Sequence, residues 1–298
     1  MKISIVTDEL SADPETAIEL GVQWGVQCFE LRGYFNDRVP MFSHYQRQHL
    51  RDVLDRYEAR IIAIGPGLFK MPLPPPQPAH FSLSWMGQAA YQTWAEARRM
   101  FEQHLNELLP RSLEYASELG AEKVVIFGFD RGGAPAGAAP DELLDVLTTA
   151  AQTAHAAGRQ LLLENEAGFW ADTGARTAAI VQAVNHPGLA INWDPGNAFF
   201  AGDCPYPNGY QEVRNWVRHV HVKDARRLPN GALAYVDEGQ IDWPGQIQAL
   251  IQDDFRGYLS VETHLTPKVA EARASVQRLR QWIDQAAGAG GNNDAEVS

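Results

Sequence analysis

The stretch Gln160–Asp194 reads QLLLENEAGFWADTGARTAAIVQAVNHPGLAINWD and contains one complete unit of the predicted fold. The apolar run Gln160–Leu163 is followed by acidic residues, and a pattern of helical period then covers Thr173–Asn185. A second apolar run, Leu189–Trp193, ends in Asp194. Strand, helix and strand in this order predict a parallel pair of strands joined by a crossover helix.

The same alternation repeats along the whole chain with a period of about 36 residues, which is typical of βα units. The predicted strands are Ile3–Thr7, Gln27–Leu31, Arg60–Ile64, Lys123–Phe127, Gln160–Leu163, Leu189–Trp193, His219–Val222 and Tyr258–Val261. The predicted helices are Pro14–Leu20, Tyr45–Tyr57, Ala89–Leu119 with a break near Pro110, Asp141–Ala157, Thr173–Asn185, Tyr210–Trp216, Trp243–Asp253 and Pro267–Gln285.

Eight such units predict an α/β fold, a (β/α)8 TIM barrel that forms a single domain over residues 1–286. A doubly wound open sheet is the main alternative. No GxGxxG motif follows the first strand, so the usual dinucleotide-binding fingerprint of that alternative is absent from the sequence. The tail Ala287–Ser298 is small and polar and is predicted to be disordered.

The composition indicates an ordinary globular protein of 298 residues, with 45% hydrophobic and 21% charged residues. A formal net charge of -12 disfavours nucleic acid as a partner. Only two cysteines, Cys28 and Cys204, are present, which favours a reducing compartment. No apolar run is long enough to span a membrane, and charge at Asp8 and Glu9 argues against a signal peptide. We therefore expect a cytoplasmic protein, and a homo-oligomer is left open.

Two segments interrupt the repeat after predicted strand ends. Met71–Trp85 reads MPLPPPQPAHFSLSW, and Arg131–Pro140 reads RGGAPAGAAP. Both follow the carboxyl ends of strands, the face on which barrels build their sites. We expect Met71–Trp85 to lie over the barrel mouth as a lid or to reach a neighbouring subunit, and a tolerated insertion is the alternative.

Acidic residues and histidine stand at the ends of four consecutive predicted strands. The fifth and sixth strands lead into Glu164 and Asp194, and the eighth leads into Glu262. The seventh reads HVHVKD, which places His219, His221 and Lys223 on one face. Three carboxylates brought together in a small space need a compensating cation. Oxygen and imidazole ligands without a thiolate suit one ion of Mn²⁺, Mg²⁺, Co²⁺ or Zn²⁺.

The chain resembles the xylose-isomerase-like TIM-barrel superfamily of sugar (phosphate) isomerases and epimerases, over about residues 1–286. The motifs that carry the resemblance are VTDELS at Val6–Ser11, FELR at Phe29–Arg32, LLLEN at Leu161–Asn165, WDPGN at Trp193–Asn197, HVHVKDAR at His219–Arg226, EGQIDW at Glu238–Trp243 and SVETH at Ser260–His264.

The resemblance implies four metal ligands, Glu164, Asp194, His221 and Glu262, with His219 left as a hydrogen-bonded barrel histidine. It also implies that Glu164 and Glu262 are the catalytic pair, one removing a proton next to a carbonyl and the other returning one, with a metal-stabilised enediolate between the two steps.

Further residues are candidates for binding a substrate. Asn197 stands where sugar epimerases of this superfamily often carry His; an amide can bind a hydroxyl but cannot shuttle a proton, which disfavours simple ketose 3-epimerisation. Glu30 is expected to pair with Arg32 or Lys223. The candidate substrate contacts are Asn197, Arg226, Lys70, Glu166, His264 and Trp170.

The resemblance implies a carbohydrate-metabolism enzyme, a metal-dependent isomerase or epimerase that acts on a sugar, a sugar phosphate or a related polyol ketone, with manganese as one candidate ion. A dehydratase of a keto-inositol or a dehydroshikimate-like compound is the alternative. An endonuclease IV-like phosphoesterase is disfavoured, since the third and fourth strands end in IGPG and FGFD without His. A non-catalytic sugar-binding barrel also remains open.

Overall fold

Eight parallel strands close into a barrel in sequential order, each strand pairing with its neighbours along the chain and the last pairing with the first. The computed structural model describes residues 1–74 and 85–291. The barrel strands, β1 to β8, are Lys2–Val6, Cys28–Leu31, Arg60–Leu68, Lys123–Phe127, Gln160–Glu164, Leu189–Trp193, Val217–Val222 and Tyr258–Val261. The predicted TIM barrel is therefore confirmed, and every predicted strand is present.

Helices surround the barrel and connect its strands. They are α1 Pro14–Gln23, α2 His44–Tyr57, α3 Trp85–Gln103, α4 Leu109–Glu118, α5 Asp141–Ala156, α6 Gly174–Val184, α7 Pro195–Phe200, α8 Tyr210–Val213, α9 Trp243–Gln252 and α10 Lys268–Gly291. Capping side chains fix several of the starts. Asp13 accepts from two backbone N–H groups of α1, and Ser43 forms a capping box with Gln46 in α2.

Several details differ from the pattern in the sequence. The break predicted near Pro110 is a π-helical turn over His104–Leu108, directly before α4. Two short antiparallel hairpins, Gly33–Tyr34 with Asp37–Arg38 and Asp224–Arg227 with Leu233–Val236, follow β2 and β7. The helix α10 continues to Gly291, past the predicted end of the barrel at residue 286, and residues 292–298 lie outside the described part.

Alternation along the strands sends one set of side chains outward to the helices and the other set into the barrel. The outward set, which includes Leu161, Leu163 and Ile191, belongs to the large core. Leu162 packs with Val125 and Ala190 in a separate small cluster. Two residues beyond Leu162, alternation brings the Glu164 side chain to the inner face of the same strand, at its carboxyl end, which is why an apolar run ends there in a buried acid.

Over the described ranges 1–74 and 85–291, no helix has both the length and the apolar character needed to cross a membrane.

Candidate metal centre

The four side chains predicted as metal ligands meet at the carboxyl ends of β5 to β8. One ligand atom from each of Glu164, Asp194, His221 and Glu262 lies within 4.8 Å of the others. All four residues are buried. His221 Nδ1 lies 3.0 Å from Glu262 Oε2, 3.4 Å from Glu164 Oε1 and 3.8 Å from Asp194 Oδ2.

Asp194 has one oxygen engaged and one directed at this cluster. It is the N-cap of α7, and its Oδ1 accepts from the Asn197 backbone N–H at 2.9 Å. Its Oδ2 lies 2.7 Å from Lys223 Nζ but has no partner with hydrogen-bond geometry among the described residues. Burial raises the pKa of Asp194 to about 6, against the lowering effect of Lys223. The free oxygen is therefore available to a cation.

Glu30 orients the histidine ligand from the opposite side of the barrel. Its Oε2 lies 3.0 Å from His221 Nε2 and 3.0 Å from His219 Nε2, with all three side chains buried. The expected pairing of Glu30 with Arg32 or Lys223 is therefore wrong, because alternation on β2 directs this carboxylate across the barrel interior to β7. Since Nε2 of His221 is engaged by Glu30, Nδ1 is the nitrogen that faces the carboxylates.

Cationic side chains of the protein lie against the carboxylates of the centre. Lys223 Nζ lies 2.7 Å from Asp194 Oδ2 and 2.7 Å from Glu262 Oε2. Burial acts to raise the pKa of Glu262, but the charges of Lys223, His221 and Arg32 hold it well below its ordinary value. Burial likewise acts to lower the pKa of His221, and the charges of Glu30, Glu262 and Glu164 raise it well above its usual range.

These residues fit a divalent metal ion. His221 Nδ1 and Asp194 Oδ2 are buried polar atoms without a hydrogen-bond partner in the part of the chain that the structure describes, and both face the same small volume. A buried polar atom without a partner costs free energy, which a bound cation would offset. Carboxylate oxygens with one imidazole are typical ligands of Mn²⁺, Mg²⁺, Co²⁺ and Zn²⁺.

A cavity of about 250 Å³ opens beside the centre, and four of the predicted substrate contacts line it: Lys70, Glu166, Asn197 and His264. Asn197 Nδ2 donates to Glu164 Oε1 at 3.1 Å, and its Oδ1 accepts from the Tyr235 hydroxyl at 2.9 Å. Lys70 Nζ lies 2.9 Å from Glu166 Oε2. His264 Nδ1 lies 3.1 Å from Glu9 Oε1.

Arg226 and Trp170, also predicted as substrate contacts, do not line this cavity. Arg226 lies on the hairpin after β7, is exposed, and donates to the carbonyl of Glu238. Ala225 pairs with Tyr235 across the hairpin and Tyr235 lines the cavity, so alternation places Arg226 on the opposite face of the hairpin. Trp170 is half-buried and packs against the main core. A substrate contact by either residue therefore stays a prediction.

Several residues of the site were not predicted. Arg32 donates to Asp8 Oδ1 at 2.8 Å, to Glu9 Oε1 at 3.0 Å and to Glu262 Oε1. It directly follows β2, so the strand-end rule, if applied to the first half of the barrel, would have found it. Arg38 and Tyr235 also line the cavity, and they come from the two short hairpins, which have no periodic signal in the sequence.

The proline-rich segment is described only at its two ends. Met71 is buried, and Pro72 pairs with Asp130 after β4 in an isolated bridge. Trp85 begins α3. Residues 75–84 lie outside the described residues, and the predicted lid falls on them, so it stays a prediction.

Comparison with known proteins gives one family and several distant relatives. The family model described as xylose isomerase-like TIM barrel matches residues 18–284. Inosose dehydratase of Bacillus cereus (strain AH820) is 22% identical over 164 residues, which are 50% of this chain and 55% of that protein. The chain thus spans about half the length of the curated relatives it matches.

Two solved structures share the fold. L-ribulose 3-epimerase superposes with a TM-score of 0.66 at 16% identity, covering 100% of both chains. A xylose isomerase-like TIM barrel protein from Mycobacterium smegmatis, solved in complex with magnesium, has a TM-score of 0.62 at 14% identity and covers 91% of this chain and 88% of its own. At these identities the likeness concerns the fold alone.

Proposed function

The chain belongs to the xylose isomerase-like TIM barrel family, and from that premise we propose that it is a divalent-metal-dependent isomerase or epimerase of a sugar-like ketone. The observation that carries the proposal is the convergence of four buried strand-end side chains, Glu164, Asp194, His221 and Glu262, within 4.8 Å. The open cavity of about 250 Å³ beside them has room for a small polyol. This function concerns sugar and polyol chemistry and requires no nucleic acid or membrane.

The four side chains would hold the ion through the carboxylates of Glu164, Asp194 and Glu262 and through His221 Nδ1. When bound, a divalent ion supplies Lewis acidity toward a carbonyl oxygen and lowers the free energy of the enediolate. Mn²⁺, Mg²⁺, Co²⁺ and Zn²⁺ all suit this ligand set.

Glu164 and Glu262 are the groups that would move protons, since both carboxylates line the cavity. Glu164 is bound by the neutral amide of Asn197 and lies 3.4 Å from His221, which also contacts Glu262. Glu262 is bound by two cations, Arg32 and Lys223. A carboxylate paired with two cations is the weaker proton acceptor, so we assign the first abstraction, from the carbon next to the carbonyl, to Glu164. Asn197 and Tyr235 would orient the substrate hydroxyls.

The same asymmetry supports a second candidate, a dehydratase. Proton removal by Glu164 from the carbon next to the carbonyl, followed by loss of hydroxide with a proton from an acid, releases water and leaves a carbon–carbon double bond. Such a reaction needs one strong base and one acid rather than two matched carboxylates. Lys223 and His264, whose Nζ and Nε2 atoms are 3.4 Å apart, line the cavity as proton donors.

One experiment separates these functions. Ketoses and keto-inositols are incubated in D₂O with Mn²⁺-loaded protein and followed by proton NMR. Deuterium incorporation with a rearranged or epimerised product supports the first candidate, and formation of an unsaturated ketone supports the second. If neither occurs with any compound, although the protein holds metal, the enzymatic proposal fails in favour of a sugar-binding barrel.

A further inference from the structure

Arg38 is held against the carboxyl end of β3, at the mouth of the cavity. It ends the short hairpin that follows β2, and its Nε donates to the Gly65 carbonyl at 3.0 Å. It lines the same cavity as Glu164 and Glu262. The guanidinium is therefore fixed to the barrel through Nε, and its two terminal nitrogens make no hydrogen bond within residues 1–74 and 85–291.

Two glycines of β3, Gly65 and Gly67, leave space for the side chains of Arg32 and Arg38. A Cβ added at Gly65 would lie 2.9 Å from Arg32 Cγ, and one at Gly67 would lie 3.3 Å from Arg38 Nε. Gly67 also has a φ of +79°, which side chains rarely adopt. The GPG segment that ends β3 thus leaves room for two guanidinium side chains directly against the backbone.

The cations of this cavity differ in how their charge is compensated. Arg32 contacts Asp8, Glu9 and Glu262. Lys223 contacts Asp194 and Glu262, and Lys70 contacts Glu166. Within residues 1–74 and 85–291, Arg38 has a backbone carbonyl as its hydrogen-bond partner and no carboxylate within ion-pair distance.

The pKa of Arg38 agrees with the lack of a carboxylate partner. Partial burial lowers the pKa of Arg38, and the nearby charge of Arg32 lowers it further, while Asp8, Glu164 and Glu30 offset the two effects incompletely. An anion placed against the terminal nitrogens would relieve this unfavourable environment. A guanidinium binds carboxylate or phosphate oxygens in pairs, which gives both strength and direction.

We propose that Arg38 binds an oxyanion of the substrate, a carboxylate or a phosphate, so that the substrate is an acidic or phosphorylated ketone with its carbonyl toward the metal centre. This inference rests on the proposed function for the location of the reacting carbonyl. The cavity of about 250 Å³ is lined by both Arg38 and the candidate ligands Glu164, His221 and Glu262, and it has room for a compound of a few carbons.

The test uses three probes that share a hydroxymethyl ketone: dihydroxyacetone, hydroxypyruvate and dihydroxyacetone phosphate. Their binding to the Mn²⁺-loaded protein is measured by isothermal titration calorimetry. We expect an anionic probe to bind the wild-type protein at least about tenfold more tightly than dihydroxyacetone, a factor typical of one charge-assisted contact. The carboxylate and phosphate probes show which anion the site takes.

Arg38→Gln should remove most of that preference and leave the dissociation constant of dihydroxyacetone unchanged, with Arg38→Lys intermediate. Arg226→Gln is the matched control, because it removes the same charge from an exposed arginine outside the cavity. As a check that does not depend on metal, inorganic phosphate should raise the melting temperature of metal-free wild-type protein but not of Arg38→Gln.

Anionic probes that bind no better than dihydroxyacetone would overturn the inference. So would a preference that survives Arg38→Gln, since chelation of the metal by a keto acid does not need Arg38. Failure of the proposed function looks different: metal and anions bind as expected, yet no compound exchanges its carbon-bound hydrogen with solvent.

Discussion

Glu30 accepts hydrogen bonds from two histidines and thereby fixes which nitrogen of His221 faces the carboxylates. Its own Oε1 is buried without a partner in the described chain, so the contact to the rings is its main interaction. Carboxylates that hold a ligand histidine in this manner usually contribute to metal affinity without touching the ion.

Glu30→Gln should weaken Mn²⁺ binding about 10–100-fold, because an amide oxygen orients the imidazole less strongly than a carboxylate. The dissociation constant is measured by calorimetry or by the electron paramagnetic resonance signal of free Mn²⁺. Glu166→Gln, which removes a carboxylate from the same cavity but not from the ligand set, is the control. Equal affinities for Glu30→Gln and the wild-type protein would show that Glu30 has no such effect.

The two glutamates at the centre should differ when each is replaced by glutamine. In metal-replete protein, Glu164→Gln should slow hydrogen exchange of the substrate about 10²–10⁴-fold, the usual contribution of a general base. Glu262→Gln should slow it less if Arg32 and Lys223 make this carboxylate the weaker acceptor. Metal content is measured in each variant by atomic absorption. Wild-type exchange in a metal-replete Glu164→Gln protein would leave Glu164 only as a ligand.

At the scale of single residues, the sequence predicts the four candidate metal ligands but not all of the residues that line the cavity beside them. The convergence of strand ends in a barrel predicts that Glu164, Asp194 and Glu262 lie close to His219 and His221, whereas the choice of His221 as the ligand is implied by the family resemblance. Arg38 and Tyr235 reach the cavity from hairpins of two to four residues per strand, which are too short to leave a periodic signal. The partner of Glu30 depends on the direction of a side chain across the barrel, which strand assignment alone does not give.

At the scale of helices and strands, the sequence does not predict the short elements. Asp194 caps the six-residue helix α7, whose length is below the window in which helical period can be recognised. The eight barrel strands and the long helices were predicted within a few residues, since each has enough apolar positions to establish its period. The largest differences between predicted and observed boundaries are at two carboxyl ends: β3 extends to Leu68, and α10 extends to Gly291.

The strand β4 begins with a lysine that should make stability depend on pH. Lys123 Nζ donates to the Arg218 carbonyl at 2.6 Å, and burial lowers the pKa of Lys123 to about 8. An unfolded lysine has a pKa of about 10.4. Between these values the unfolded chain binds more protons than the folded one, so the free energy of unfolding rises with pH from about 8 to about 10.

In Lys123→Met this pH dependence should be absent. The increase in the free energy of unfolding between pH 8 and pH 10 should then be about 1–2 kcal/mol smaller than in the wild-type protein. The free energy of unfolding is measured by urea denaturation at pH 7, 8, 9 and 10. Lys2→Met, an exposed lysine at the start of β1, serves as the control. Parallel pH curves for Lys123→Met and the wild-type protein would contradict the assignment.

For the whole molecule, the candidate metal centre brings together side chains from the ends of β5 to β8, so its occupancy should affect global stability. An ion that binds only the native state at a hundred times its dissociation constant adds about 2.7 kcal/mol to the free energy of unfolding. For a chain of this size that corresponds to about 5–10 °C in melting temperature.

Protein treated with EDTA should therefore melt below the Mn²⁺-loaded protein, as followed by circular dichroism or calorimetry. Lys223 reduces the difference, because its ammonium group lies 2.7 Å from both Asp194 Oδ2 and Glu262 Oε2 and compensates part of their charge. Asp194→Asn keeps an oxygen to cap α7 but removes a ligand charge, so its metal-dependent shift should largely disappear. Identical melting temperatures with and without saturating metal would rule out the centre.

Two different parts of the chain supply the side chains at the barrel mouth. The carboxylates and the histidine that would carry the chemistry follow β5 to β8, whereas Arg38 and Lys70 lie in the segment around β2 and β3. Substitutions at Arg38 or Lys70 can therefore alter which compound is accepted without changing the side chains that follow β5 to β8. Such a division makes the barrel easy to diversify, because one group of side chains can stay unchanged while substitution of the other changes the accepted compound.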